Sequence, residues 1–349
     1  MKILCFSPLE LPYHIGARYT GLERLAASFA EEWTKLGHDV TLLAHKDTSV
    51  NPSVKLLPCD GYETVKRPNH AEALAFTTYQ SEFRKFDVIW DIGHLHLIAR
   101  FISHLPTANV FSANPEYEAR MRTEKAPYNL ISWSKWGIGQ IRKYYGREAR
   151  YQETIMVDPN VYKPDGKRGD RFLTLGRMAP AKGNLSAAIF CKDNGLPLDI
   201  AGGRGSEKMA GQELTDYEKE VMKICDGKQL IFHGEVSEEE KLHLLQTCKS
   251  LLYLTDHVEI TSHKVQEALF CGAQVIAPNT GGMPEIVTQG VDGFLCNTSP
   301  EVLDKVQNHL HELDPSKTRD ALIAKYSPAV VAGNYIKLFE QIANGLRWK

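Results

Sequence analysis

The chain has 349 residues, 43% hydrophobic and 24% charged, with 41 Lys and Arg against 43 Asp and Glu. That balance excludes a disordered chain and the basic field of a nucleic-acid binder, and the length implies two domains of roughly 150 residues each. Thirteen His show no HExxH-type spacing, so no metal site is expected, and seven Cys without a CxxC read as reduced thiols of a cytoplasmic protein.

In chain order, "KILCFS" reads as a buried strand; its short apolar run does not suit a signal peptide. No stretch approaches the ~20 apolar residues of a membrane span. A Gly- and Pro-containing loop over residues 8–21 leads into a helix whose stripe is Leu22, Leu25, Ala26, Phe29, Trp33 and Leu36, with Gly37 as its stop. "HDVTLLA", "FDVIWDI" and "ANVFSA" are further strands, "SWSKWGIGQIRKYYG" is helical and "YQETIMV" extended. After "VDPNVYKPDGKRGD" the alternation restarts with the strands "RFLTLGR", "LPLDIAG", "KQLIFHG", "SLLYLT" and "AQVIAP". Ser237 and Glu240 fit a capping box for "EEEKLHLLQT", and Ser299 is the expected cap of "PEVLDKVQNHLHEL". Two such β/α series imply two doubly wound, Rossmann-like parallel sheets with a ligand cleft between them.

Several stretches carry candidate chemistry. "LGRMAPAKGN" follows a strand, and its Arg177 and Lys182 suit a diphosphate, as a guanidinium fork beside a point charge; the same residues equally suit a solvated loop. "AGGRGSE" holds Gly203 and Gly205 but lacks the third glycine of a dinucleotide fingerprint, so a tight turn is the better reading. His94 and His96, at a strand end, are either sugar-side contacts or structural histidines. Residues 117–150 hold eight Lys and Arg against three Asp and Glu, either a patch for an anionic or lipid surface or a solvated helix face. In "VEITSHKVQEAL" a helix starting near Ser262 points its positive end at a ligand, with Glu259 ahead of it and Glu267 about a turn inside. A phosphate at the helix end and hydroxyls at the two acids fit a sugar nucleotide; a capping role for Glu259 is the competing reading.

Together these stretches resemble the retaining glycosyltransferases of the GT-B fold, of the GT4 type (glycosyl transferases group 1). The resemblance covers nearly the whole chain and rests on "LGRMAPAKG", "LPLDIAGGRG", "LIFHGEVSEEEKLHLLQTC", the Glu259-x7-Glu267 pair, "CGAQVIAPNTGGMPEIV" and "GVDGFLC". "TGLERLAASFAEEWTKLGHDVTLLA" is similar to that family's first helix and second strand, and "YSPAVVAGNYIKLFEQIANG" to its last helix. The resemblance implies an acceptor-binding domain over 1–160, completed by a helix over about 328–349 that crosses back, and a donor-binding domain over 161–327.

It also implies roles. Arg177 and Lys182 would bind the donor diphosphate, Glu267 the ribose and Glu259 the transferred sugar. Gly21 would let the first loop approach the phosphates, Thr261, Ser262 and His263 would complete the cradle, and Phe232 to Glu235, with Gly234, would flank the base. Arg177, Lys182 and Glu259 are thus the expected catalytic set, and His94, His96 and Asn114 the expected acceptor or sugar side. The chain departs from the family at Thr20, where a glycine is usual, at Thr261-Ser262, in place of an aromatic-Gly pair, and at Asn114, in place of a histidine. The implied reaction is transfer of a sugar from a nucleotide-diphosphate donor, UDP-sugar favoured, to an acceptor hydroxyl of a carbohydrate, lipid-linked or small-molecule partner. With no DxD motif, no metal or other cofactor is expected. The expected location is cytoplasmic, with peripheral contact on the inner membrane surface; oligomeric state stays open. A sugar-nucleotide epimerase or phosphorylase of the same fold, or a non-catalytic sugar-nucleotide binder, are the alternatives.

Overall fold

The computed structural model describes residues 1–14, 21–61, 70–112, 128–203, 214–255 and 257–349. Thr20, Asn114 and Gly205 lie outside the described residues, as does part of the basic run 117–150. Met1–Met156 together with Pro328–Lys349 form one compact unit, and Val157–Ser327 form a second.

The first unit is built on a seven-stranded sheet of order β3-β2-β1-β4-β5-β6-β7. Its strands are β1 (Lys2–Phe6), β2 (Asp39–His45), β3 (Lys55–Cys59), β4 (Val88–Asp91), β5 (Thr107–Phe111), β6 (Leu130–Ser132) and β7 (Ala149–Tyr151). Every pairing is parallel. Strands β1 and β4 are buried almost throughout, as expected where helices cover both faces. The edge strand β3 carries Pro58, which an edge tolerates because its missing N–H breaks no ladder.

The helix Gly21–Lys35 buries Leu25, Ala26, Phe29 and Trp33, and Gly37 ends it in the left-handed conformation. Leu36, expected on the buried stripe, is instead 44% exposed because the helix has already stopped at Lys35. The last helix, Pro328–Ala343, packs on this one. Trp33 donates its indole N–H to the Ala332 carbonyl at 3.2 Å, and Phe29, Trp33, Trp90, Tyr335 and Phe339 form one aromatic cluster with ring centroids 4.8–6.1 Å apart. Tyr335 fits in this apolar cluster because its hydroxyl is bonded to Thr154 at 2.7 Å.

The second unit holds a six-stranded parallel sheet of order β10-β9-β8-β11-β12-β13. Its strands are β8 (Phe172–Leu175), β9 (Leu198–Ala201), β10 (Leu230–Gly234), β11 (Ser250–Leu252), β12 (Gln274–Pro278) and β13 (Gly293–Cys296). Ser237 and Glu240 form the expected capping box of Glu238–Thr247. One local expectation needs correction. Thr298, not Ser299, caps the helix Ser299–Asp304, since it is the Thr298 hydroxyl that accepts from Glu301 N–H; past Asp304 the chain winds as a π-turn and then a 3₁₀ turn. The "YQETIMV" stretch continues from β7, where Tyr151 ends the strand and the Gln152 N–H still bonds the Ser132 carbonyl at 3.1 Å. Among the described residues no helix is long and apolar enough to cross a membrane.

Candidate functional site

In each sheet the strand order reverses once, between β1 and β4 and between β8 and β11. Loops leaving the carboxyl ends of such a strand pair diverge to opposite sides of the sheet and open a crevice where ligands bind. In the second unit β8 runs into Gly176 and Arg177, and β11 into the loop carrying Glu259.

The close approach of these loops depends on glycines. Gly183 follows the turn Pro180–Lys182 with φ +69°, and a Cβ there would sit 1.9 Å from the Leu254 carbonyl oxygen. Thr255 ties the same loops together, donating its hydroxyl to the Ala181 carbonyl at 2.7 Å. Gly281, φ +62°, would bring a Cβ within 2.2 Å of the Glu259 carbonyl oxygen, which accepts the Gly282 N–H at 2.9 Å. The Gly-Gly turn is therefore the seat on which the Glu259 backbone rests.

These constraints join two of the expected residues: the Lys182 ammonium is salt-bridged to the Glu259 carboxylate, both largely buried. Tyr253, which sequence reasoning passed over, is buried near Glu259, and burial followed by the Glu259 charge pushes its phenol up. Arg177 lies two residues beyond β8; its Nε is buried without a hydrogen-bond partner among the described residues. Ser262 caps the helix His263–Phe270, its hydroxyl accepting from Val265 N–H, so the capping reading of Glu259 falls away. Thr261 and His263 flank that cap, and first-turn N–H groups of a helix have no acceptor within it.

Glu267, on the fifth residue of this helix, is held separately. Lys241, from Glu238–Thr247, reaches it at 3.0 Å, bonds Glu238 at 2.9 Å and lies over the Tyr162 ring at 5.3 Å. Burial pushes the Glu267 carboxyl up, but Lys241 and His263 outweigh burial and hold it below its ordinary value. Burial likewise opposes the Lys241 charge, and Glu267, Tyr162 and Glu238 together raise its affinity for the proton. Neither Lys241 nor Tyr162 was singled out by the sequence; the only available signal was the helical spacing that turns Lys241 inward. Gly234 ends β10 with φ +67°, its carbonyl accepting the Gly202 N–H at 2.8 Å.

Gly21, His94 and His96 lie in the first unit. Gly21 opens its helix, exposed and with no atom of the described residues near its missing side chain. His94 and His96 follow β4 and are tied to buried carboxylates. Glu72 accepts from the His94 and Leu95 N–H groups at 2.8 Å and lies 3.0 Å from His94 Nδ1. Burial raises the Glu72 carboxyl, but the His94 bond and charge outweigh it and leave it lowered. His96 is buried, left-handed at φ 45°, and 3.4 Å from Asp91. No group of three or more His, Cys, Asp or Glu among the described residues is disposed to hold a metal ion.

Residues 165–325 match the family Glycosyl transferases group 1. Human Alpha-1,3/1,6-mannosyltransferase ALG2 is 31% identical over 149 residues, 42% of this chain and 34% of that protein; the chain thus spans about a third of that relative's length. Sucrose-phosphate synthase from Thermosynechococcus elongatus superposes with TM-score 0.78 at 14% identity, covering 99% of this chain and all of the other. Anabaena HepE in complex with UDP and glucose superposes with TM-score 0.72 at 16% identity, covering 97% and 99%. The two parallel-sheet units and these neighbours give the chain the GT-B fold, and its residues 165–325 are similar to the group 1 glycosyl transferases.

Proposed function

We propose that this protein is a metal-independent, retaining glycosyltransferase of the GT4 type that moves a sugar from a nucleotide-diphosphate donor to an acceptor hydroxyl. The observation that carries the reading is the Lys182–Glu259 pair, set with Arg177 where β8 and β11 diverge. The UDP and glucose in Anabaena HepE support a UDP-sugar as donor. Acceptors of the carbohydrate, lipid-linked or small-molecule class fit the same reading, as does a cytoplasmic site of action at the inner membrane surface.

In the reaction the bond from the anomeric carbon to the diphosphate oxygen breaks, and its electron pair leaves with the diphosphate. Arg177, Lys182 and the first-turn N–H groups of His263–Phe270 stabilise that developing charge. Each pre-aimed donor of this kind is typically worth about 3–4 kcal/mol in the transition state. The acceptor oxygen bonds the anomeric carbon on the face just vacated, and its proton passes to the departing phosphate oxygen. Glu259 takes the hydroxyls of the transferred sugar once the donor phosphates engage Lys182; Glu267 takes the ribose hydroxyls.

NMR of a UDP-sugar with candidate acceptors tests the reading. A new glycoside with the donor's anomeric configuration is expected, unaffected by EDTA. An epimer, an inverted product or activity restored only by magnesium would overturn it, as would Arg177→Ala and Lys182→Ala variants with unchanged donor affinity and turnover.

A further inference from the structure

Two side chains beside the Lys182–Glu259 pair have no role in that account. Lys264 is the second residue of the helix His263–Phe270, and Asn184 the first of the helix Asn184–Asp193. Both converge on Gly176, at the carboxyl end of β8. A Cβ placed on Gly176 would lie 3.7 Å from Lys182 Cβ, 3.9 Å from Asn184 Nδ2 and 3.9 Å from Lys264 Cε. The glycine thus fronts a small space walled by two lysine stems and a carboxamide.

The carboxamide of this space is unsatisfied among the described residues. Asn184 is fully buried, yet neither its Oδ1 nor its Nδ2 has a hydrogen-bond partner among the described residues. A buried amide is normally paired, so an unpartnered one beside a binding site is a group that a bound polar ligand or a water can satisfy. Arg177 Nε is likewise orphaned. Glu259 is committed to Lys182, and Glu267 to Lys241, so neither acid is ion-paired with Lys264. Of the three lysines near this space, Lys182 and Lys241 are each paired with an acid and Lys264 is not, which leaves its charge for an anion such as a diphosphate.

Resting on the nucleotide-diphosphate reading above, we propose that Lys264 is a third diphosphate-binding cation, with the Asn184 carboxamide as a neutral donor beside it. Burial, then the Lys182 charge, holds the Lys264 ammonium down to about 8, with Lys241 acting in the same sense and Glu259 and Glu267 opposing. A bound diphosphate adds negative charge to that set and raises the proton affinity of Lys264, so the empty site gives up this proton near pH 8 and the filled site keeps it. Binding above pH 8 then takes up a proton.

Calorimetric titration of UDP and of uridine into the wild type, Lys264→Met and Lys264→Arg between pH 7 and 9 tests this. Wild-type affinity for UDP is expected to fall about tenfold from pH 7 to 9, the ratio of protonated fractions for a group titrating near 8. Lys264→Met should bind UDP about tenfold more weakly at pH 7 with uridine unchanged, and Lys264→Arg should stay tight with that pH dependence gone. Thermal melts without ligand check that both variants fold. If Lys264→Met matches the wild type in UDP affinity and pH dependence, or weakens uridine equally, the assignment to Lys264 fails while the diphosphate site stands. If the wild type binds none of UDP, GDP and ADP, both readings fail.

Discussion

Replacing Lys241 by Met leaves Glu267 buried without its cation. In the intact protein Lys241 lies 3.0 Å from Glu267 and 2.9 Å from Glu238. The Glu238 side chain is 42% exposed, so water screens that bond and it adds little; the Glu267 side chain is 11% exposed and carries the effect. Removing one partner of a buried pair typically costs about 3–5 kcal/mol. Met keeps the apolar stem and Glu267 keeps His263 beside it, which brings the expected cost to roughly 2–3 kcal/mol. Urea denaturation of Lys241→Met, Glu267→Gln and the double variant measures this, and the double should lose at least about 1.5 kcal/mol less than the sum of the singles. The pH dependence has a fixed sign. Because the folded Glu267 carboxyl is held below its ordinary 4.5, its contribution is complete above that value and disappears as pH falls through the depressed folded value. In Lys241→Met burial and the Glu238 charge push the Glu267 carboxyl up against His263 alone, so the variant's deficit is largest near neutrality and shrinks on acidification. A variant within about 0.5 kcal/mol of the wild type, with additive double-mutant losses, would show that Lys241 does not set the charge of Glu267.

Other outcomes follow from the same geometry. Burial, with Glu10 adding to it, pushes the Glu23 carboxyl up from 4.5 to about 7. The folded state then binds a proton between those values that the unfolded chain releases, so stability falls as pH rises through the window. At 1.36 kcal/mol per pH unit the loss is at most about 3 kcal/mol; Glu23→Gln should recover it at pH 8 and gain nothing at pH 4, and an offset equal at both values would refute the cause. Gly183→Ala drives a Cβ into the Leu254 carbonyl, whereas Gly146→Ala, also at positive φ, meets open space. Denaturation should find about 1 kcal/mol lost at Gly146 and several times that at Gly183; equal losses would mean that the Lys182 turn is not clamped against Leu254.

The sequence disclosed what local periodicity controls. The helix Gly21–Lys35 and strands such as β2, β9 and β12 are long enough to show their period, and the Ser237–Glu240 capping box is a local bond with a local signature. Strand β6 has three residues and gave no period to read, and β13 was passed over as part of a glycine-bearing motif. At the site, Arg177, Lys182, Glu259 and Glu267 could be named from their motifs, but the pairing of Lys182 with Glu259 bridges 77 residues of chain and accompanies the close approach of Gly183 to Leu254, which no local pattern contains. Lys264 and Asn184 were passed over for the same reason. Each looks like an ordinary first-turn polar residue until both helices are laid against Gly176.

The aromatic seam between the helices Gly21–Lys35 and Pro328–Ala343 also sets an order of events during synthesis. The first unit needs Ala332, Tyr335 and Phe339 to complete the packing around Trp33, and Trp348 to bond Asn129 and Leu130. Those residues leave the ribosome after all of Val157–Ser327. At roughly 5–20 residues per second, the nascent first unit waits on the order of ten to thirty seconds with Trp33 and Trp90 uncovered, while the second unit, continuous in sequence, can fold at once. The segment emitted first is finished last, and through that interval its open aromatic face is the surface a chaperone would hold.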